Sequence, residues 1–212
     1  MQTLSAVLHQ GDQDPALQEI ILALASAGER ISAKLRLGAL ASILGDAKKV
    51  NVQGEQQKKL DIIANQIVID KLSSLKAVAG MASEEEEQFI TGHPEGRYLV
   101  MFDPLDGSSN IDIDISVGTI FSLFMKPRDE DLQEKHFLQP GNKQVAAGYI
   151  LYGPQTLLVM TFGQEVLFFT LDHKGEFRQQ TSPPSLVQET QEFAINMSNQ
   201  RFWPKEIQKY IT

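Results

Sequence analysis

The sequence predicts an α+β sandwich, a layer of helices followed by a sheet. Three observations carry this. Apolar residues recur at helical spacing through the first third of the chain. From about Val78 they gather instead into short runs bounded by Gly and Pro. These run lengths and breaks belong to strands, and the earlier period belongs to amphipathic helices.

The helical part opens at Asp14-Pro15, an N-cap with proline at the first helical position. Leu17, Ile20, Ile21, Leu24, Ile31 and Leu35 follow on one face. Gly28 is expected to split this stretch into two helices, and Gly45-Asp46 to end it. The polar, Gly-containing stretch 45–59 reads as a mobile loop. Leu60, Ile63 and Ile67 then predict a helix to about Leu72, with Asp61 near its start, where the helix dipole tolerates negative charge.

In the second part, "AVAGMA" and "YLVMF" read as strands, as do runs at 115–125, 145–152, 156–162 and 165–171. "RDEDLQEKHFLQPGNK" reads as a polar surface excursion, and His9, His93, His136 and His173 as surface histidines. "TSPPS" at 181–185 is the strongest boundary signal. It divides a domain at 1–184 from a stretch, 185–212, holding the strand candidate "EFAIN" and a short helix, with Trp203 as a packing residue. This second piece reads as the beginning of a further domain.

Composition narrows the function classes. The formal net charge is -8, from 27 acidic and 19 basic residues, which argues against nonspecific nucleic-acid binding. If an acidic protein handles an anionic substrate, something must neutralise the site, and a divalent cation is the obvious candidate. The chain has no cysteine, which excludes disulfides and thiolate metal sites. There is no signal-peptide pattern and no apolar run near the roughly 18–20 residues that cross a bilayer, so a cytoplasmic protein with no membrane partner is expected.

The chemistry concentrates in "YLVMFDPLDGSSNIDID", residues 98–114. A wholly apolar strand ends in Asp103-Pro104-Leu105-Asp106, which buries charge unless a cation or partner compensates it. Hard carboxylate oxygens suit Mg2+, and the Leu105 carbonyl can join them. Gly107 permits close backbone approach, and the N–H groups of Gly107, Ser108 and Ser109 can bind a phosphate. Metal on one side and amide donors on the other is an arrangement for phosphoryl transfer to water. Upstream lie Glu55, Asp61 and the run Glu84-Glu85-Glu86-Glu87. Taken singly, Glu55 reads as a solvated loop residue, Asp61 as a helix-start charge, and the Glu run as a solvated helical turn behind Ser83 as N-cap.

"DPLDGSSNID" resembles the signature of class I fructose-1,6-bisphosphatases; the shorter Asp-Pro-Leu-Asp-Gly core is similar to that of inositol monophosphatases. "NVQGEQQKKLDIIANQ", "SEEE", "GTIFSLF", "LQPGNKQVAAGYILYG" and "FAINMSN" resemble segments of the same family, in family order. The resemblance implies the sugar-phosphatase fold of the inositol monophosphatase superfamily, with N-terminal helices packed on a mostly antiparallel sheet. It implies Mg2+-dependent hydrolysis of the 1-phosphate of fructose 1,6-bisphosphate, with two to three ions per site and Mn2+ or Zn2+ as substitutes. By the same resemblance Glu55, Glu84, Asp103, Leu105 and Asp106 hold metal, and Asp61 and Glu85 polarise the attacking water. Asp106, Gly107, Ser108, Ser109 and Asn196 contact substrate. An AMP site is implied at Ala27, Gly28, Glu29, Arg30, Arg97 and Tyr98, although Met125 stands where the family has a further Arg. A homotetramer and a gluconeogenic role are also implied. Relatives continue for roughly another hundred residues, so this chain is expected to lack the sugar-binding domain and to be weak or inactive alone. Competing readings are a sedoheptulose bisphosphatase, an inositol-phosphatase-like enzyme, and a non-catalytic fragment.

Overall fold

The computed structural model describes residues 1–38, 46–50, 56–128, 130–182, 187–191, 195 and 197–211. Its internal contacts divide the chain into two units, Met1–Thr181 and Ser182–Thr212.

In the first unit the helices come first. Helix α1 (Leu4–Gln10) is capped by Thr3, whose hydroxyl accepts the Ala6 N–H. Helix α2 (Pro15–Leu35) is capped by Asp14, which accepts the Ala16 N–H at 3.0 Å. The expected break at Gly28 is absent. A Cβ placed there would lie 2.3 Å from the Ile150 Cδ1, so the glycine serves close packing on the sheet and not helix termination. The helix ends at Leu35, well before Gly45.

The stretch expected as a mobile loop contains two paired strands, β1 (Asp46–Val50) and β2 (Gln56–Lys58), which form a small antiparallel ladder. Backbone pairing satisfies peptide N–H and C=O groups whatever the polarity of the side chains, which is why a polar segment can form it. Helix α3 (Lys59–Ser73) follows at the expected place.

The remaining strands are β3 (Val78–Ser83), β4 (Ile90–Thr91), β5 (Tyr98–Asp106), β6 (Val117–Met125), β7 (Ala146–Tyr152), β8 (Thr156–Thr161), β9 (Val166–Leu171) and β10 (Phe177–Gln179). They form an eight-stranded sheet in the order β10-β9-β8-β7-β6-β5-β3-β4. All neighbours are antiparallel except β3 and β5. Strand β5 therefore sits in the interior of the sheet, between β3 and β6.

Helices α2 and α3 bury one sheet face. Ile20, Ile21, Leu24 and Ile31 of α2, with Ala64 and Val68 of α3, share a core with Val100, Phe121, Leu123 and Ile150. The opposite face carries a smaller cluster of Ala79, Leu99, Phe124 and Phe137, with Leu132 and Phe89 packed on it. The polar excursion after β6 is thus not wholly a surface feature, because it sends Leu132 and Phe137 into this cluster. His136 is buried too, contrary to its reading as a surface residue. Its Nδ1 accepts the Gln133 N–H and its Nε2 lies 3.0 Å from Glu130 Oε2, which satisfies both ring nitrogens.

The second unit contains a 3-10 turn, Met197–Phe202, and helix α4 (Lys205–Ile211). Of the expected strand 192–196, only Ile195 lies among the described residues.

Candidate active site

The site grows from an irregularity in β5. Asp103 pairs with Ile120, while Asp106 pairs with Gly118, so β5 spends three residues where β6 spends two. Pro104 explains the bulge: it has no N–H to give a central ladder. The extra residue changes the strand's alternation and brings Asp103 and Asp106 close enough for their charges to interact. Three bonds fix the turn. The Leu105 N–H donates to Asp103 Oδ1 at 2.9 Å. Thr119 Oγ1 donates to the Pro104 carbonyl at 2.8 Å, and it shares a 2.7 Å bond with the Tyr152 hydroxyl.

Gly107 then adopts φ 77°, a left-handed conformation that favours glycine, and starts a 3-10 helix over Ser108–Ile113. Ser108 Oγ donates to Asp61 Oδ2 at 3.0 Å. The same oxygen accepts the Lys58 N–H at 2.6 Å, so Asp61 closes the first turn of α3 while reaching the Gly107 turn. A second tie runs beside it, an ion pair of 3.0 Å between Lys58 Nζ and Asp112. The sequence reading missed Lys58 and Asp112; the signal was a cation and an anion of unremarkable context, 54 residues apart.

The acidic run after β3 is a turn, not the first turn of a helix. The Glu84 N–H donates to the Phe102 carbonyl at 3.1 Å, which extends the β3–β5 pairing and sets Glu84 beside Asp103. Burial pushes the Asp103 carboxyl up to about 7. The negative charge and hydrogen bond of Glu84, and the charge of Asp106, push the same way; only the Leu105 N–H opposes them. An open cleft of about 710 Å³ leads from Glu84 and Asp103 across the helix-free sheet face, past Ser122, Tyr149 and Val166.

The donor set fits a hard divalent cation: carboxylate oxygens in a half-buried position that crowd one another in its absence. Among the described residues, no group of three or more His, Asp or Glu side chains converges on one point. Glu84, Asp103 and Asp106 are the described carboxylates that could hold such an ion. Glu55 and Asn196 lie outside the described residues.

The six residues expected at an AMP site do not come together. Arg97 Nη2 and the Tyr98 hydroxyl both donate to Asp14 Oδ2, at 2.7 and 2.9 Å, at the start of α2. Burial and the Asp14 carboxylate push the Tyr98 hydroxyl up to about 12. Ala27, Gly28, Glu29 and Arg30 lie some fourteen residues further along an unbroken helix, about 20 Å at 1.5 Å per residue.

The architecture defines a class: an α+β sandwich whose central strand ends in a bulged acidic turn, followed by a left-handed glycine and paired serines. Residues 3–182 match the family described as Fructose-1-6-bisphosphatase, N-terminal domain, and the chain belongs to that family. It is 55% identical over 204 residues to the class 1 fructose-1,6-bisphosphatase of Neisseria meningitidis serogroup A, covering 96% of this chain and 63% of that protein. It is 52% identical over 212 residues to the class 1 enzyme of Shewanella baltica, covering 100% of this chain and 65% of that one. The crystal structure of Leishmania major fructose-1,6-bisphosphatase in holo form superposes with a TM-score of 0.92 at 32% identity, over 99% of this chain and 67% of that chain. The chain therefore spans a little under two thirds of the length of these bacterial relatives.

Proposed function

We propose that this chain supplies the metal- and phosphate-binding half of a fructose-1,6-bisphosphatase, which removes the 1-phosphate of fructose 1,6-bisphosphate in the presence of Mg2+. The observation that carries this is the crowding of Glu84 and Asp106 on a half-buried Asp103, immediately before a Gly-Ser-Ser turn. Two to three divalent cations, when bound, would neutralise these carboxylates and polarise the phosphoryl oxygens. Glu55, Glu84, Asp103, Asp106 and the Leu105 carbonyl are the proposed ligands.

The chain's own groups do the rest. The N–H groups of Gly107, Ser108 and Ser109 orient the phosphate, and Asn196 contacts the second phosphate. Asp61 and Glu85 hold the attacking water and accept its proton as its oxygen bonds to phosphorus; the bond from phosphorus to the sugar oxygen breaks, and that oxygen leaves as a hydroxyl with a proton taken from water. The proposal extends to a gluconeogenic role in the cytoplasm and to a homotetramer, as the family resemblance implies. AMP regulation is not carried forward, since the expected residues stand apart.

Phosphate release from fructose 1,6-bisphosphate tests the reading, with Mg2+ and with EDTA. The samples are this chain and a chain continued by the C-terminal third that the relatives carry. The expected result is Mg2+-dependent release by the continued chain, lost in Asp103→Asn, and little or none by this chain alone. A continued chain that folds but releases no phosphate overturns it.

A further inference from the structure

Asn65 lies one helical turn beyond Asp61 on α3, so the two side chains share the face turned to the sheet. It is 6% exposed. Its Oδ1 accepts the Ser83 hydroxyl at 2.7 Å, and its Nδ2 donates to Glu86 Oε1 at 2.6 Å. Ser83 Oγ accepts the Glu85 N–H at 3.2 Å, and the Glu86 N–H donates to the Ser83 carbonyl at 3.3 Å. The acidic turn is thus tied to β5 through the Glu84 N–H and to α3 through Asn65.

A primary amide is suited to both bonds at once, because one atom accepts and the other donates. It is also neutral. A carboxylate there would repel Glu86, and an apolar side chain would take away the acceptor of the buried Ser83 O–H. Glu84 and Asp103 crowd each other across the β3–β5 edge, so bonds from neutral donors and acceptors help to hold the turn in place.

We propose that Asn65 is a positioning residue. It fixes Glu84 and Glu85 against Asp61 and Asp103, so that one helix sets the spacing of both halves of the site. Asp61 reaches the Gly107 turn and Asn65 reaches the acidic turn. This rests on the phosphatase reading of the site.

The test uses this chain, with amide hydrogen exchange in the metal-free state and Mn2+ binding followed by electron paramagnetic resonance. In Asn65→Ala the amides of Glu84–Glu86 should exchange at least tenfold faster, while those of β6–β8 keep their rates. Mn2+ should bind about tenfold more weakly, the lower end of what outer-shell partners of metal ligands contribute. Asn65→Asp should behave alike. Asn65→Asp combined with Glu86→Gln should recover most of the affinity, because the glutamine amide can donate to the new carboxylate while Ser83 keeps its acceptor. Unchanged turn exchange with Mn2+ affinity within twofold of the parent overturns the proposal. So does faster exchange spread evenly over β6–β8, or a double variant no better than Asn65→Asp. A parent chain that binds no Mn2+ overturns both this proposal and the phosphatase reading. Mn2+ binding without phosphatase activity in the continued chain removes only the latter.

Discussion

Ser108 and Asp61, 47 residues apart, meet in a 3.0 Å hydrogen bond that joins the start of α3 to the turn leaving β5. Asp61 is 2% exposed, and its Oδ2 also caps its own helix through the Lys58 N–H. One carboxylate oxygen therefore holds a helix start and the Gly-Ser-Ser turn together. A hydrogen bond to a charged acceptor contributes about 1.5–3 kcal/mol. Ser108→Ala should lower the unfolding free energy of the chain by about that amount in urea titrations. Combined with Asp61→Asn, the losses should fall short of the sum by more than 1 kcal/mol. Additivity within about 0.5 kcal/mol would show that the two side chains act independently.

Asp103 sets stability against function. Its carboxyl is half-buried, pressed by Glu84 and Asp106, and supported by a single N–H. Asp103→Asn removes the crowded charge and keeps an oxygen for the Leu105 N–H. In the absence of metal, the variant should melt at a higher temperature than the parent. Saturating Mg2+ should raise the parent's melting temperature and leave the variant's unchanged. A variant that melts lower without metal would mean the carboxylate stabilises the chain in its own right.

The elements most legible in the sequence were those with an unambiguous period. The runs at 145–152, 156–162 and 165–171 became β7, β8 and β9 within a residue or two. Helix α3 begins one residue before its first apolar position. Features decided by distant partners were not legible. Gly28 looks like a helix break locally, and only the approach of Ile150 makes it an interior residue. His136 sits in a strongly polar stretch, yet Phe137 beside it fills the second cluster and Glu130 completes its bonding. The acidic set at Asp103, Asp106 and Glu84 could be picked out as carboxylates. What makes them neighbours is distant pairing: the β5 bulge against β6 for Asp103 and Asp106, and the β3–β5 ladder for Glu84.

Asp14 gives the chain an acid-sensitive contact. The Ala16 N–H holds its carboxyl below the usual aspartate range, and the Tyr98 hydroxyl and Arg97 add to this. A depressed carboxylate stabilises the fold above its unfolded pKa of 3.8, and that contribution is lost as pH falls through the lower folded value. Asp14→Asn keeps an N-cap oxygen but cannot titrate. From pH 6 down to pH 3 its stability should therefore fall less steeply than the parent's, as read by urea midpoints at each pH. Parallel curves would place the acid sensitivity elsewhere.

The Thr119–Tyr152 pair supports the acidic turn from beneath. Thr119 Oγ1 donates to the Pro104 carbonyl, so the bond it shares with Tyr152 has the tyrosine hydroxyl as donor. Burial raises the Tyr152 pKa further above its ordinary value, which keeps that hydroxyl a donor at any working pH. Thr119→Val strands two buried groups, the Pro104 carbonyl and the Tyr152 hydroxyl, and should cost about 2 kcal/mol. Tyr152→Phe removes only the outer member and should cost about 1 kcal/mol. The double variant should cost less than the sum, because the phenylalanine no longer carries a hydroxyl in need of an acceptor. Thr119→Val should also weaken Mn2+ binding, since the Pro104 carbonyl is what anchors the peptide between Asp103 and Leu105. Tyr152→Phe should leave Mn2+ binding close to the parent's. Equal weakening in both would mean that the whole relay, and not the bond at Pro104, sets the position of the carboxylates.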